Sequence, residues 1–376
     1  MTEKVAWVPF DVLENYMFDV FKGIGVPEDD ARTCADVLIT SDKRGIDSHG
    51  IGRCKTIYYD RINIGIQHPC TNFEIIRQTP TTAVVDGHDG MGHVIGKKSM
   101  QMAIDKAKKY GMGMVAVRNS THYGIAGYYA LMACENDMIG MTGSNARPSV
   151  APTFGVENMM GTNPMTFGIP TDEDFPFVLD CATSLTQRGK IEVCDRAEKE
   201  LPEGWVIDQH GNTRTDTKKV LEDLVNGTCA LTPLGGIGEE GAGYKGYGYC
   251  TVVEILCAAL QQGAYMKMLT GLGKGGEKIP YKLGHFFMAI DINAFIEPEK
   301  FKQMAGEILR ELRHSRKMPK TDRIYTAGEK EHLAWLNRQY KGAPINENLQ
   351  KEILTMSKEL GLNQYDFSQY GFWAKI

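Results

Sequence analysis

The 376 residues contain no run near the ~20 apolar residues that a membrane span needs, and no CxxC pair, HExxH, EF-hand loop, P-loop or GxSxG segment. These absences set aside membrane spans, the common zinc and calcium sites and the usual phosphate and nucleophile devices, so no metal is expected. A basic surplus is missing too. Lys and Arg number 42 against 47 Asp and Glu, a net charge of -5, and nucleic acid is therefore not an expected partner. The nine cysteines are odd in number and scattered, and Cys34, Cys134, Cys250 and Cys257 sit inside apolar runs. They read as reduced core thiols, not disulfides. Met1–Phe10 lacks a basic stretch followed by an apolar one, which makes the cytoplasm the expected location.

What is present is globular material, 42% hydrophobic and 24% charged, long enough for two or three domains. Phe10, Leu13, Met17 and Phe21 mark a helix that Gly23 and Gly25 end, and Pro27 with Glu28, Asp29 and Asp30 opens a second running to about Asp42. From Phe73 the pattern changes to short strands at 73–77 and 82–86, an amphipathic helix over 95–110 stopped by Gly111, and a buried strand at 113–117. Further strands are expected at 138–143, 165–169, 177–179 and 285–290, the last after a polar excursion over 194–225 and a helix over 246–262. Helices resume at Phe301–Leu312, Glu329–Tyr340 and Asn346–Leu360. The fold class is α/β (α+β), with a mixed-sheet domain over 73–297 and a helical domain built from 1–72 and 298–376.

Three stretches gather polar chemistry. In the first, Ser41–Arg53, a helix is expected to begin with Ser48 as its N-cap, because Ile51, Cys54, Tyr58 and Ile62 recur at spacings of three and four. His49 then lies in the first turn and Arg53 four residues on, on the same face. A neutral imidazole takes a hydroxyl proton and a guanidinium holds a carboxylate at two points, which suits a 2-hydroxy or 2-keto acid. A capping histidine and a solvated ion pair are the plain alternative. The second stretch, Val117–Tyr129, ends a strand with His122, a second acid/base candidate that could equally bond loop backbone. The third, Val178–Lys190, places Asp180, Thr183 and Ser184 before Arg188 and Lys190, groups suited to sugar hydroxyls and phosphates. Gly241–Gly246 matches GxGxxG, but a loop rich in Gly and Glu precedes it where a Rossmann fingerprint needs a strand. What remains there is an anion site at Lys245 and Gly246, or a loop with an exposed lysine.

Six motifs, in order along nearly the whole chain, resemble those of the second type of malate/L-lactate dehydrogenase, a family distinct from the Rossmann-fold enzymes. They are Arg44–Gly50 (RGIDSHG), Asn119–Gly124 (NSTHYG), Gly161–Gly168 (GTNPMTFG), Asp180–Ser184 (DCATS), Gly243–Gly248 (GYKGYG) and Gly284–Phe287 (GHFF). Asn145–Pro152 (NARPSVAP) and Arg323–Glu329 (RIYTAGE) are similar to the malate-oxidising members. The resemblance implies an oxidoreductase that moves hydride between NAD or NADP and C2 of a small 2-hydroxy acid. The first substrate is malate, a 2-hydroxy dicarboxylate. Lactate, sulfolactate, ureidoglycolate, diketogulonate or a cyclic imino acid are the alternatives. It also implies a non-Rossmann mixed sheet carrying the cofactor, a substrate site at the domain interface, and a homodimer. By position, His122 and His49 correspond to acid/base histidines, with His122 the first choice as proton acceptor. Arg53 and Ser48 correspond to substrate-orienting residues. Asn145, Ala146, Asp180, Cys181, Ala182, Thr183, Ser184, Lys245, Gly246, Gly328 and Glu329 correspond to cofactor-contacting positions, and Lys190 joins them from the third stretch. A tyrosine that some relatives carry four residues after the arginine is Ile57 here, and whether the adjacent Tyr58 replaces it stays open. Arg188 and Lys190 suit a 2′-phosphate, a pyrophosphate or solvent equally, which leaves NAD and NADP open. A non-catalytic ligand-binding protein is the remote alternative.

Overall fold

The computed structural model describes residues 4–371 and Trp373. It opens with β1 (Val5–Val8), α1 (Phe10–Gly23), α2 (Glu28–Lys43) and the short α3 (Asp60–Asn63). α1 buries Leu13, Tyr16, Met17, Val20 and Phe21, and three carboxylates fill the first turn of α2, where unpaired amides favour anions. Next come β2 (Glu74–Gln78), β3 (Thr82–Asp86), α4 (Gly92–Tyr110), β4 (Met112–Ser120), α5 (Ala126–Cys134), β5 (Met138–Ser144), β6 (Met165–Ile169) and β7 (Phe177–Cys181). The polar excursion belongs to a small lobe of α6 (Arg188–Arg196), β8 (Val206–Asp208), α7 (Thr217–Asn226) and β9 (Cys229–Leu231), closed around Ile191, Val206, Val220 and Leu231. α8 (Gly243–Ala258), β10 (Leu283–Asp291), α9 (Pro298–His314), α10 (Glu329–Arg338), β11 (Ala343–Asn346) and α11 (Glu347–Leu360) complete the chain.

Seven strands form one mixed sheet in the order β2-β3-β4-β10-β5-β6-β7. β3 and β4, joined through α4, run parallel; the other described neighbours in this sheet run antiparallel. This is not a Rossmann order. β10 inserts between β4 and β5, and its alternating side chains serve two cores. Phe287 and Ala289 pack with Ile104 of α4 and Tyr129 of α5, whereas Phe286 packs with Val253 and Cys257 of α8. The GxGxxG stretch follows a loop, as its composition implies, and α8 starts inside it at Gly243.

β1 pairs with β11, Trp7 opposite Pro344, so the two ends of the chain share a core that includes Tyr16, Leu38, Tyr58, Ile345 and Ile353. α9 contributes no described residue to that core. Its row Met304, Ile308 and Leu312 is exposed, the reverse of what an apolar spacing implies, while Arg310 and Arg313 reach Asp172 and Glu173 just beyond β6. All nine cysteines are free thiols; Cys34, Cys250 and Cys257 are buried, but Cys70 and Cys181 are exposed. Among the described residues no helix is long and apolar enough to cross a membrane. Nor, among them, is any group of three His, Cys, Asp or Glu placed to hold a metal.

Candidate active site

The turn after α2 is held from beneath and from the side. Asp42, buried in the last turn of α2, accepts the Ile51 N–H at 2.9 Å, and burial pushes its carboxyl up to about 8. A Cβ on Gly50 would stand 1.9 Å from an Asp42 oxygen, so this close approach requires glycine. Arg338 of α10 forks onto Asp47, with its second arm 2.9 Å from Oδ2, and donates to the Asp42 carbonyl at 3.0 Å. The helix does not begin at Ser48. It opens as a 3₁₀ turn at Ile51–Arg53, widens to a π turn over Cys54–Tyr59 and becomes α at Asp60. Ser48 therefore caps nothing: its carbonyl accepts Arg53 Nε, and its hydroxyl lies 2.8 Å from His49 Nδ1. His49 sits in the turn before the helix. A π turn closes from i to i+5, so Tyr58, five residues after Arg53, takes the place that a residue four on would hold in an α-helix.

That change of winding brings Tyr58 to His122, whose ring it meets at Nδ1 with a hydroxyl contact of 2.6 Å. Gly124 N–H approaches the same nitrogen at 3.3 Å. His122 follows β4, and Gly92 at the start of α4 packs so close that a Cβ there would lie 2.4 Å from the His122 carbonyl oxygen. His49 stacks on His122 with centroids 5.7 Å apart and planes 21° apart. The two histidines thus meet, although one comes from the N-terminal region and the other from the end of a sheet strand. Burial and the nearby Arg53 lower His49 to about 4; burial, His49, Arg61, His93 and Arg53 hold His122 well below the usual range. Both rings are neutral at pH 7.

A cleft of about 650 Å³ opens beside them. It is lined by Ser48, Arg53, Asp180, Cys181, Ala182, Ser184, Thr186 and Lys190 with Trp205 and Leu234. A smaller cavity of about 230 Å³ shares Ser48, Asp180, Cys181 and Ala182 with it and reaches His49 and Tyr123. Asp180 is committed: it accepts Gly127 N–H at 2.7 Å and the Thr166 hydroxyl at 3.0 Å, and burial raises its pKa. Thr186 Oγ1 is buried without a partner among the described residues, a donor that a ligand in the cleft could use. Lys190 lines this cleft, whereas Arg188 is paired with Glu192 at 2.9 Å. With hydroxyls, a cation and an unpaired Thr186, the donor set fits the sugar and phosphate groups of a dinucleotide.

Other sequence candidates line neither cavity. Asn145 spends both ends of its amide on Ala264 O and Gly284 N–H, and the Ala146 N–H is taken by Asn163. Thr183 is turned to the carbonyls of Thr162 and Asn163. Lys245 is exposed beside Tyr244, and Gly246 lets α8 approach the Leu234 backbone, where a Cβ would stand 2.2 Å from Leu234 O. Gly328, at φ 90°, caps α10, and the buried Glu329 pairs with Arg323 and accepts the Thr326 N–H. Sequence reasoning left out Tyr58, because nothing in the sequence says whether it replaces the tyrosine that relatives carry at the position of Ile57, and also His93, a fully buried ring 4.5 Å from Tyr58.

A sequence profile described as malate/L-lactate dehydrogenase matches residues 8–354. Malate dehydrogenase of Pyrococcus horikoshii is 44% identical over 361 residues, 96% of this chain and 97% of that protein. L-sulfolactate dehydrogenase of Methanocaldococcus jannaschii is 38% identical over 94% of this chain and 97% of that protein. The crystal structure of malate dehydrogenase from Entamoeba histolytica superposes with a TM-score of 0.92 at 42% identity, covering 95% of this chain and 99% of that one. The chain is an oxidoreductase and belongs to the malate/L-lactate dehydrogenase family.

Proposed function

We propose that the chain interconverts (S)-malate and oxaloacetate, with the hydroxyl proton passing to a histidine. The observation that carries this reading is a stacked pair of neutral histidines beside Arg53, a guanidinium without a carboxylate partner among the described residues. The malate dehydrogenases 44% and 42% identical to it support the choice of substrate.

Arg53 binds the carboxylate next to the reacting carbon, since its Nε is occupied by Ser48 O and its terminal nitrogens remain to form the fork. Ser48 keeps His49 oriented through their 2.8 Å contact. His122 is the proton acceptor. Its Nδ1 is turned to Tyr58, so Nε2 is the nitrogen that trades a proton with substrate. For Nε2 to take the proton, Nδ1 carries the ring's own proton and donates it to the Tyr58 oxygen, a hydrogen bond that persists and becomes charge-assisted once the ring is protonated. A nicotinamide dinucleotide is the hydride carrier of this family and, when bound, supplies the redox chemistry at C2. Lys190 would meet a phosphate, and Ser184, Thr186 and the Asp180–Ala182 strand end would hold the sugar side of the cleft. Of the candidates that line neither cavity, Gly246 would act on the cofactor through Leu234, the lining residue on which it packs.

The test is an initial-rate panel followed by nicotinamide absorbance, with oxaloacetate, pyruvate, sulfopyruvate, diketogulonate and a cyclic imino acid, each with NADH and NADPH. A dominant oxaloacetate rate is expected, and the better reductant identifies the cofactor. Dominance of any other substrate would overturn the malate reading.

A further inference from the structure

β10 buries Phe287 and Ala289 in the core against α4 and α5, and His285, two residues earlier on the same face, is fully buried as well. An imidazole in an apolar row costs free energy unless its nitrogens find partners. Both do. Nε2 lies 3.2 Å from the Thr121 carbonyl oxygen, and Nδ1 lies 2.9 Å from the Ser144 hydroxyl. A carbonyl only accepts, so Nε2–H is the donor. The ring also lies flat on Tyr123, with centroids 4.4 Å apart and planes 5° apart, and Tyr123 stacks in turn with Tyr129 at 4.9 Å. His285 thus holds the residue before His122 and the residue after it. The backbone there needs a hold. Val117 stands opposite His285 and Ser120 opposite Leu283, which leaves two residues of β4 across from Gly284 alone, a bulge in which Asn119 has a φ of 50°. Past Ser120 the described ladder between β4 and β10 ends, and the Thr121 carbonyl turns to the His285 side chain instead. From the other side the Thr121 hydroxyl donates to Gly90 O at 2.7 Å and accepts Gly92 N–H at 2.9 Å. An apolar side chain would suit the row and make neither ring bond, so packing alone does not account for the histidine.

Resting on the reading of His122 as the proton acceptor, we infer that His285 is a positioning residue: through Thr121 and Tyr123 it fixes the His122 ring between Tyr58 and the substrate. It touches no reacting atom and moves no proton. Tyr123 also lines the smaller cavity with His49, so a slip of this loop would shift the cavity wall and the His122 ring together. A misplacement of about 1 Å at a reacting group costs up to about a hundredfold in rate. The same imidazole meets Ser144, one residue before Asn145, and so ties the loop to the end of β5.

The experiment measures single-turnover reduction of oxaloacetate in His285→Phe and His285→Gln, each made in wild type and in His122→Ala. In wild type His285→Phe lowers the rate about tenfold or more while the Kd for the reduced cofactor stays within about twofold, and His285→Gln, which still has a donor for Thr121, recovers part of the loss. In His122→Ala no ring is left to place, so the same substitution costs little more. A loss in wild type that is less than about fivefold larger than the loss in His122→Ala overturns the inference. Should His285→Phe not fold, Ser144→Ala removes the contact at Nδ1 and leaves the ring; a ratio below about twofold between the two backgrounds then overturns it. Amide hydrogen exchange needs no turnover. His285→Phe, or Ser144→Ala in its place, speeds exchange about fivefold or more over residues 119–124 and leaves β2 and β3 unchanged. If no 2-keto acid is reduced but exchange rises there alone, the proposed activity falls and the hold on the loop stands. A smaller rise, or one shared with β2 and β3, overturns the hold whatever the enzyme reduces.

Discussion

The Tyr58 hydroxyl stands 2.6 Å from His122 Nδ1, across 64 positions of sequence, and joins the π turn to the end of β4. When His122 takes a proton at Nε2, its Nδ1–H becomes a charged donor to the phenol oxygen. Hydrogen bonds to charged groups contribute about 1.5–3 kcal/mol, so Tyr58→Phe should lower kcat roughly ten- to a hundredfold with little change in KM. Steady-state kinetics in the malate-oxidising direction check this. Unchanged kcat would remove Tyr58 from the proton path.

Arg53 makes a different kind of contribution, because it grips the substrate before and during reaction. Loss of a charge-assisted fork costs about 2 kcal/mol or more, so Arg53→Ala should reduce kcat/KM roughly thirtyfold or more. Lysine should recover little, since it lacks the planar geometry. Wild-type kinetics in Arg53→Ala would refute its role on the carboxylate.

Both site histidines have pKa values depressed by burial and by neighbouring charge, His49 to about 4 and His122 well below its ordinary range. A base must be deprotonated to work, and these already are at pH 6.5. The kcat/KM for oxidation should therefore stay flat from about pH 6.5 to 8, with its acid limb below the ordinary histidine range of about 6.5. An inflection between pH 6 and 7 that vanishes in His122→Ala would contradict the depressed pKa. His122→Ala itself should cost about 10²- to 10⁴-fold in turnover, the usual worth of a positioned proton acceptor.

Much of this arrangement is legible in the residues. The alternation of Phe286 and Phe287, the left-handed stop at Gly111 and the Asn346 side chain that accepts the Leu349 N–H follow from local rules. His49, His122 and Arg53 could be picked out by chemistry. Their meeting could not, because it depends on Asp42 displacing the start of the helix and on a π turn that no periodicity announces. Tyr58 belongs to the apolar repeat, and its sequence alone does not say whether it replaces the tyrosine that relatives carry at the position of Ile57. The β1 and β11 pairing is a contact between chain ends, and α9 shows an apolar row that its own sequence cannot distinguish from a buried one.

His93 offers a test of the buried layer behind the site. Its ring is fully buried, neither nitrogen has a partner among the described residues, and burial lowers its pKa to about 3. The folded pKa thus lies below the unfolded value of about 6.5. As pH falls through that window, the unfolded chain takes up a proton that the native state refuses, so stability is intact above about 6.5 and declines toward 3. One such group gives at most about 1.4 kcal/mol per pH unit. Asp42, raised to about 8, acts in the opposite sense over part of this range, so the total slope for wild type does not isolate His93. The difference between two proteins does. Denaturant unfolding at pH 7, 6, 5 and 4 should show His93→Leu losing less stability than wild type at each step below 6.5. Parallel curves would mean that His93 titrates alike folded and unfolded, and that its two nitrogens are not sealed from water.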